Sequence, residues 1–200
     1  MSSVDRKRVG SFLRMQEKKG VKGRLWQLTE LFNELQFRLP AVWQAEAHAA
    51  HGNRSYVYYW TYPSSLPDLG ACHAVELAYV FNNLTETIYT GEGINEELAA
   101  RVQQMWVNFA KTGDPSTEEA TWEPYSASSR NVMILGDRIR PEKNWREDER
   151  RCLLPLLKYR FNMNAGAPQI DPKPSLKAAA IAAGIGGLIW LICRLLRDDN

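Results

Sequence analysis

Three histidines occur in this 200-residue chain, and one of them, His73, sits in the stretch LGACHAVELAYVF, residues 69–81. Imidazole titrates near neutrality, so a histidine held on a loop can take a proton from a hydroxyl and hand it on to a leaving group. A histidine in the same place can also serve only as a structural hydrogen-bonding residue, and the local pattern leaves both readings open. Metal chemistry fits poorly. His73 and Glu76 make a His-x-x-Glu pair, but Leu77 stands where an inverted zinc motif needs a second histidine. His48 and His51 lie apart, and Cys72, Cys152 and Cys193 show no Cys-x-x-Cys spacing. No metal or other cofactor is expected. The odd cysteine count also argues against a disulfide framework.

The elements that would position His73 read as mixed α and β. SYVYYWTYP, residues 55–63, is almost wholly aromatic and β-branched without alternation, the pattern of a strand buried on both faces. His73 follows it after a loop containing Pro63, Pro67 and Gly70, and catalytic groups favour loops beyond the carboxyl ends of such strands. Leu25, Leu28, Leu31, Phe32 and Leu35 form one helical stripe that Pro40 should stop. A second helix is expected over residues 95–111, with Asn95 capping its start and Gly113-Asp114-Pro115 closing it. VMIL, residues 132–135, reads as a short strand. A last helix should begin at Asn144, with Glu147 reaching back, and bend at Pro155. Two confident strands are too few for a complete layered sheet, so the fold class is α/β with an incomplete sheet.

Composition bounds the rest. Net charge is +2, yet residues 1–24 hold eight Lys/Arg against Asp5 and Glu17. A solvated face is the expected reading of this run, because Phe12 is the one aromatic residue among the charges, and no nucleic-acid partner is expected. No apolar run follows Met1, so a reducing, cytoplasmic setting is the default. Toward the other end, residues 165–177 carry Pro168, Pro172 and Pro174 and read as a linker. Residues 178–193 then run for sixteen positions without a charge, short of the roughly 20 apolar residues that cross a bilayer. Arg194 can snorkel and let Leu195 and Leu196 join, so residues 178–197 are expected to be a helical hydrophobic tail making weak, anchoring membrane contact. The expected organisation is a basic segment at 1–24, a body at 25–164, the linker and the tail.

GACHAVELAYVF resembles the histidine loop of the type-B carboxylesterases, the cholinesterase-like branch of the α/β-hydrolases. QMWVNFAKTGDP, residues 104–115, is similar to that family's Trp-x-Asn-Phe-Ala-x-x-Gly-x-Pro signature. TWEPYS with NVMILGD, and FRLPAVWQAEAHAAHGNRSYVYYWTYP, resemble its later segments and the stretch preceding its histidine, all in family order from about Leu31 to Phe161. The resemblance implies the C-terminal part of an α/β-hydrolase fold and ester hydrolysis by a Ser–acid–His triad, with His73 as general base and Glu76 in packing or hydrogen bonding. It also implies that the nucleophile and the acid belong upstream of this segment. The chain has no Gly-x-Ser-x-Gly and no Gly-rich oxyanion loop, so it is expected to be inactive alone, acting on a small carboxylic ester only if completed by an N-terminal half. Cys152 matches a cysteine that secreted members pair, but the partner position reads Leu39-Pro40, which implies a free thiol. The alternative is a non-catalytic cholinesterase-like binding or adhesion module, membrane-tethered through the tail.

Overall fold

The computed structural model describes residues 2–159; the expected linker at 165–177 and tail at 178–197 lie outside them. Among the described residues the chain divides into two compact units, 38–150 and 2–37 with 151–159.

Unit 38–150 is built on a mixed three-stranded sheet: β1 (Tyr58–Trp60), β2 (Asn131–Leu135) and β3 (Arg140–Lys143), in the order β1-β2-β3. β1 runs parallel to β2, with Tyr58 opposite Met133 and Trp60 opposite Leu135. β3 turns back antiparallel, with Val132 opposite Glu142 and Ile134 opposite Arg140. The apolar run of β2 is buried at four successive positions, as a central strand requires. β1 departs from the sequence expectation. It is three residues long, and Tyr58 is exposed while Trp60 is buried. β2 covers only one edge of it among the described strands, so aromatic and β-branched character overstated its pairing and burial. β3 was not legible, because Pro141 argues against a strand; an edge strand tolerates it, since only one side must supply donors.

Three helices complete this unit: α3 (Leu39–Ala50), α4 (Leu77–Val80) and α5 (Glu96–Thr112). α5 forms as its sequence dictates. The Asn95 side chain accepts a hydrogen bond from the Leu98 amide at 3.0 Å, and Gly113 closes the helix at φ 74°. Its Ala99 and Val102 are fully buried with Val75, Met133 and Leu135 in the core. Burying each such larger aliphatic side chain contributes roughly 1.5–3 kcal/mol. Pro40 does not stop a helix; it lies at the start of α3, directly after a π-helical turn, Glu34–Arg38, whose altered hydrogen-bond spacing accompanies the missing N–H.

In the other unit, α1 (Ser3–Lys18) and α2 (Arg24–Asn33) form a helical hairpin. The basic run is thus largely helical. Ser2 caps α1 by accepting from the Asp5 amide at 3.2 Å, Phe12 and Leu13 are buried, and Gly20 leaves the helix at φ 89°. The buried Asp5 carboxylate meets Lys158 Nζ at 3.0 Å. The last helix, α6, spans Glu147–Leu153 rather than starting at Asn144. Asn144 has φ 54°, a left-handed conformation unlike that of a capping residue, and its backbone carbonyl takes the Glu147 amide at 3.1 Å. Around Pro155 the helix tightens into a 3-10 segment, Leu154–Tyr159, which realises the expected irregularity. Among the described residues no helix is long and apolar enough to cross a membrane.

Candidate active site

β1 delivers the chain into the loop that bears His73. Trp60, the last residue of β1, is locked before the loop departs: its indole N–H donates to Tyr62 O at 2.7 Å, and its ring packs on Tyr79 at 4.8 Å between centroids. Thr61 then holds on to the sheet, its amide donating to Leu135 O at 2.7 Å. Beyond it, the loop is tied to the 86–92 segment by main-chain acceptors. Ser65 N reaches Thr90 O at 2.9 Å, and Ser65 Oγ donates to Thr90 O at 3.1 Å and Glu92 O at 2.9 Å. The approach is so close that a Cβ on Gly91 would lie 2.2 Å from Ser65 Oγ and 3.1 Å from Leu66 N. Glycine is required there both for this contact and for φ 67°.

His73 lies in a turn closed by the Val75 amide on Cys72 O at 3.3 Å. Ala74, the third residue of this turn, has φ 72°, a conformation costly for any residue with a Cβ. The consequence is a clean division of the turn. His73 is exposed, while Val75, two residues on, is fully buried against the core. The imidazole is therefore presented outward from a fixed base. The sequence carried a faint sign of this geometry in the small residue after the histidine.

Glu76 follows the turn and ties it back to β1: Tyr58 donates its hydroxyl to Glu76 Oε1 at 3.4 Å. Although Tyr58 is part-exposed, desolvation on the side that packs against Trp106 and the neighbouring Glu76 carboxylate push its phenol up to about 12. The Tyr58–Glu76 pairing across the loop was not legible in the sequence, although Glu76 was expected to pack or hydrogen-bond. Among the described residues neither Cys72 nor Cys152 is in a disulfide, and burial pushes the Cys72 thiol up. His48 and His51 are not brought to this loop for chemistry by any contact described; His51 ends α3, where its Nδ1–H donates to Ala47 O at 2.8 Å. Among the described residues no group of three His, Cys, Asp or Glu side chains could hold a metal ion.

A histidine displayed past a parallel strand, without a serine elbow in the same chain, invites comparison with known proteins. A match to the carboxylesterase family runs over residues 2–152. The para-nitrobenzyl esterase of Bacillus subtilis is 34% identical over 134 residues, which cover 62% of this chain and 26% of that protein. Human neuroligin-2 is 28% identical over 164 residues, covering 68% of this chain and 19% of that protein. A solved structure of a PNB esterase superposes with a TM-score of 0.59 at 31% identity, over 66% of this chain and 28% of the other. These relatives are esterases of the α/β-hydrolase fold among others, and the partial mixed sheet with flanking helices is a portion of that architecture. The chain spans about a quarter or less of the curated relatives it matches. Its sequence and its fold agree, and the chain belongs to the carboxylesterase family.

Proposed function

We propose that this chain supplies the histidine of a Ser–acid–His machinery for hydrolysing small carboxylic esters, and that it acts when joined to a family segment bearing the serine nucleophile, the acid and the oxyanion donors. In this reading His73 removes the proton from the serine hydroxyl as that oxygen attacks the ester carbonyl, then returns it to the leaving alcohol. The carboxylate of that segment fixes the imidazole tautomer, and backbone donors there hold the developing oxyanion. No cofactor enters this chemistry. The observation that supports the role is the exposed His73 beyond the carboxyl end of β1, held in a turn whose left-handed Ala74 lets Val75 bury.

The test is to place residues 2–152 in the corresponding part of the Bacillus subtilis para-nitrobenzyl esterase and follow p-nitrophenyl butyrate hydrolysis. Turnover is expected in the chimera and not in this chain by itself. His73→Ala should lower kcat by about 10⁴-fold or more. An equally active His73→Ala chimera refutes the assignment.

The likeness to neuroligin-2, which extends over 164 residues, favours one second reading. In it the chain is a non-catalytic binding or adhesion module, and a folded chimera that binds ester without turning it over would support it. We further propose that residues 178–197 tether an otherwise cytoplasmic chain to a membrane, a reading supported by the sixteen uncharged positions from Ala178 to Cys193. Equal soluble recovery of the full chain and a version stopped at Lys177 would remove that proposal.

A further inference from the structure

Three residues after the imidazole, Glu76 joins the His73 turn to α4. Its backbone carbonyl accepts the Tyr79 and Val80 amides at 3.0 and 2.9 Å, so the main chain at Glu76 is held by the helix it starts. Its carboxylate is held from the other side. Tyr58, the first residue of β1, donates its hydroxyl to Glu76 Oε1 at 3.4 Å across 18 residues of sequence. We propose that Tyr58 is a positioning residue for His73: its hydroxyl, through Glu76, holds the start of α4 and with it the turn that presents the imidazole. This role rests on His73 acting as the general base.

Packing separates the work of the hydroxyl from that of the ring. The Tyr58 ring meets Trp106 edge-on, 5.2 Å between centroids at 73°, so α5 holds the ring whether or not it carries a hydroxyl. Two residues on, Trp60 shares the same strand face and packs on Tyr79 of α4 at 4.8 Å. β1 therefore meets α4 at two places, the indole at the body of the helix and the phenol at its start. Between Glu76 and His73 stand only Val75, fully buried, and Ala74 at φ 72°. The Val75 side chain sets the depth of the turn, but apolar contact is non-directional and leaves its rotation open. A hydrogen bond has a preferred direction, and the Tyr58–Glu76 bond supplies that second constraint. With its phenol pushed up to about 12, Tyr58 remains a donor at every pH at which an imidazole works as a base. Placement of a proton carrier governs rate, since a shift of about 1 Å can cost about 10²-fold.

The esterase chimera described above, assayed with p-nitrophenyl butyrate, tests the role. Tyr58→Phe keeps the ring and should lower kcat about tenfold, the weight of one hydrogen bond to a charged group, with KM unchanged. Glu76→Ala should lower kcat equally, and Tyr58→Phe/Glu76→Ala should fall no further, because both changes remove one interaction. Glu76→Gln, which keeps an acceptor, should retain most of kcat. A contact that only stabilised the fold would lower the urea midpoint and leave kcat of the folded enzyme unchanged. His73→Ala separates the two readings. Activity that survives it removes the general base and the positioning role together, whereas full kcat in Tyr58→Phe beside an inactive His73→Ala overturns the positioning role alone. Hydrogen exchange in the full chain gives a readout that needs no partner segment. Tyr58→Phe should speed exchange of the Val75 and Leu77 amides, bonded to Cys72 O and Ala74 O, about tenfold, while Val102 in α5 stays protected. Unchanged exchange at those two amides overturns the proposal whatever the chimera does.

Discussion

Two regions of the 38–150 unit solve opposite problems. One is the charged cluster in which Glu46, Tyr125, Arg130, Glu147 and Arg150 meet. Arg150 clasps Glu147 at 2.7 and 3.1 Å, Arg130 approaches Glu46 at 3.6 Å and Glu147 at 3.8 Å, and the Tyr125 hydroxyl donates to Glu46 at 3.2 Å. The ion-paired side chains are at most 25% exposed, and their charges alternate in sign. Glu147, then Glu46, hold the Arg150 guanidinium charged, while burial and Glu46 push the Tyr125 phenol up and keep it neutral. The other region is the His73 loop, held by main-chain acceptors and one tight glycine contact, with His73, Leu69 and Leu77 exposed and Ala74 left-handed. Charge matching builds architecture from alternating ion pairs even around a left-handed residue, since Arg130 stands at φ 45°. Presenting an imidazole outward from a buried anchor draws instead on close backbone contacts, with Ala74 at φ 72°.

The comparison breaks most readily at Gly91. Gly91→Ala must accept both φ 67° and a contact 3.1 Å from a backbone nitrogen, so it should cost about 3 kcal/mol in urea unfolding. Removing Ser65 Oγ beforehand should relieve only part of this, since the Leu66 backbone stays in place. A loss under about 1 kcal/mol would mean the loop is not seated so tightly. Next comes the charged cluster. Glu147→Ala leaves two part-buried guanidiniums with less compensation, and about 2 kcal/mol is expected, between the values for exposed and buried pairs. A double-mutant cycle with Arg150→Ala should show that most of this belongs to the pair.

Ala74→Gly works in the opposite direction. It releases the left-handed strain and gives back some of it as chain entropy, so a gain of about 0.5–1 kcal/mol is expected, together with faster amide exchange around His73. Any destabilisation would contradict the strained turn. The smallest effect is on pH dependence. Because Tyr58 ionises near 12 in the folded chain and near 10 when unfolded, its contribution is complete below pH 10 and is lost as pH rises through 12. Tyr58→Phe should therefore flatten the alkaline loss of stability and remove one late-titrating phenol from the ultraviolet absorbance curve. An unchanged curve would argue against the Tyr58–Glu76 contact.

Much of this was written locally. The caps of α5, the buried run of β2 and the placement of His73 after an aromatic strand follow from hydrogen-bonding side chains, periodicity and turn residues within a few positions of one another. Family membership was legible for the same reason, since its motifs are short and ordered. Other features depended on partners distant in the chain. β3 exists because β2 offers an edge to a segment containing proline, and β1 is short because pairing rather than composition sets strand length. Pro40 begins a helix instead of ending one, and α1 is a helix although its charges suggested only a solvated face. By itself the sequence determined which residues could cap, bury or carry a proton, because those are properties of side chains and their spacing. Tertiary structure decided which strand edges paired, and it placed Ala74 in the left-handed region, because such conformations persist only where surrounding contacts outweigh their cost.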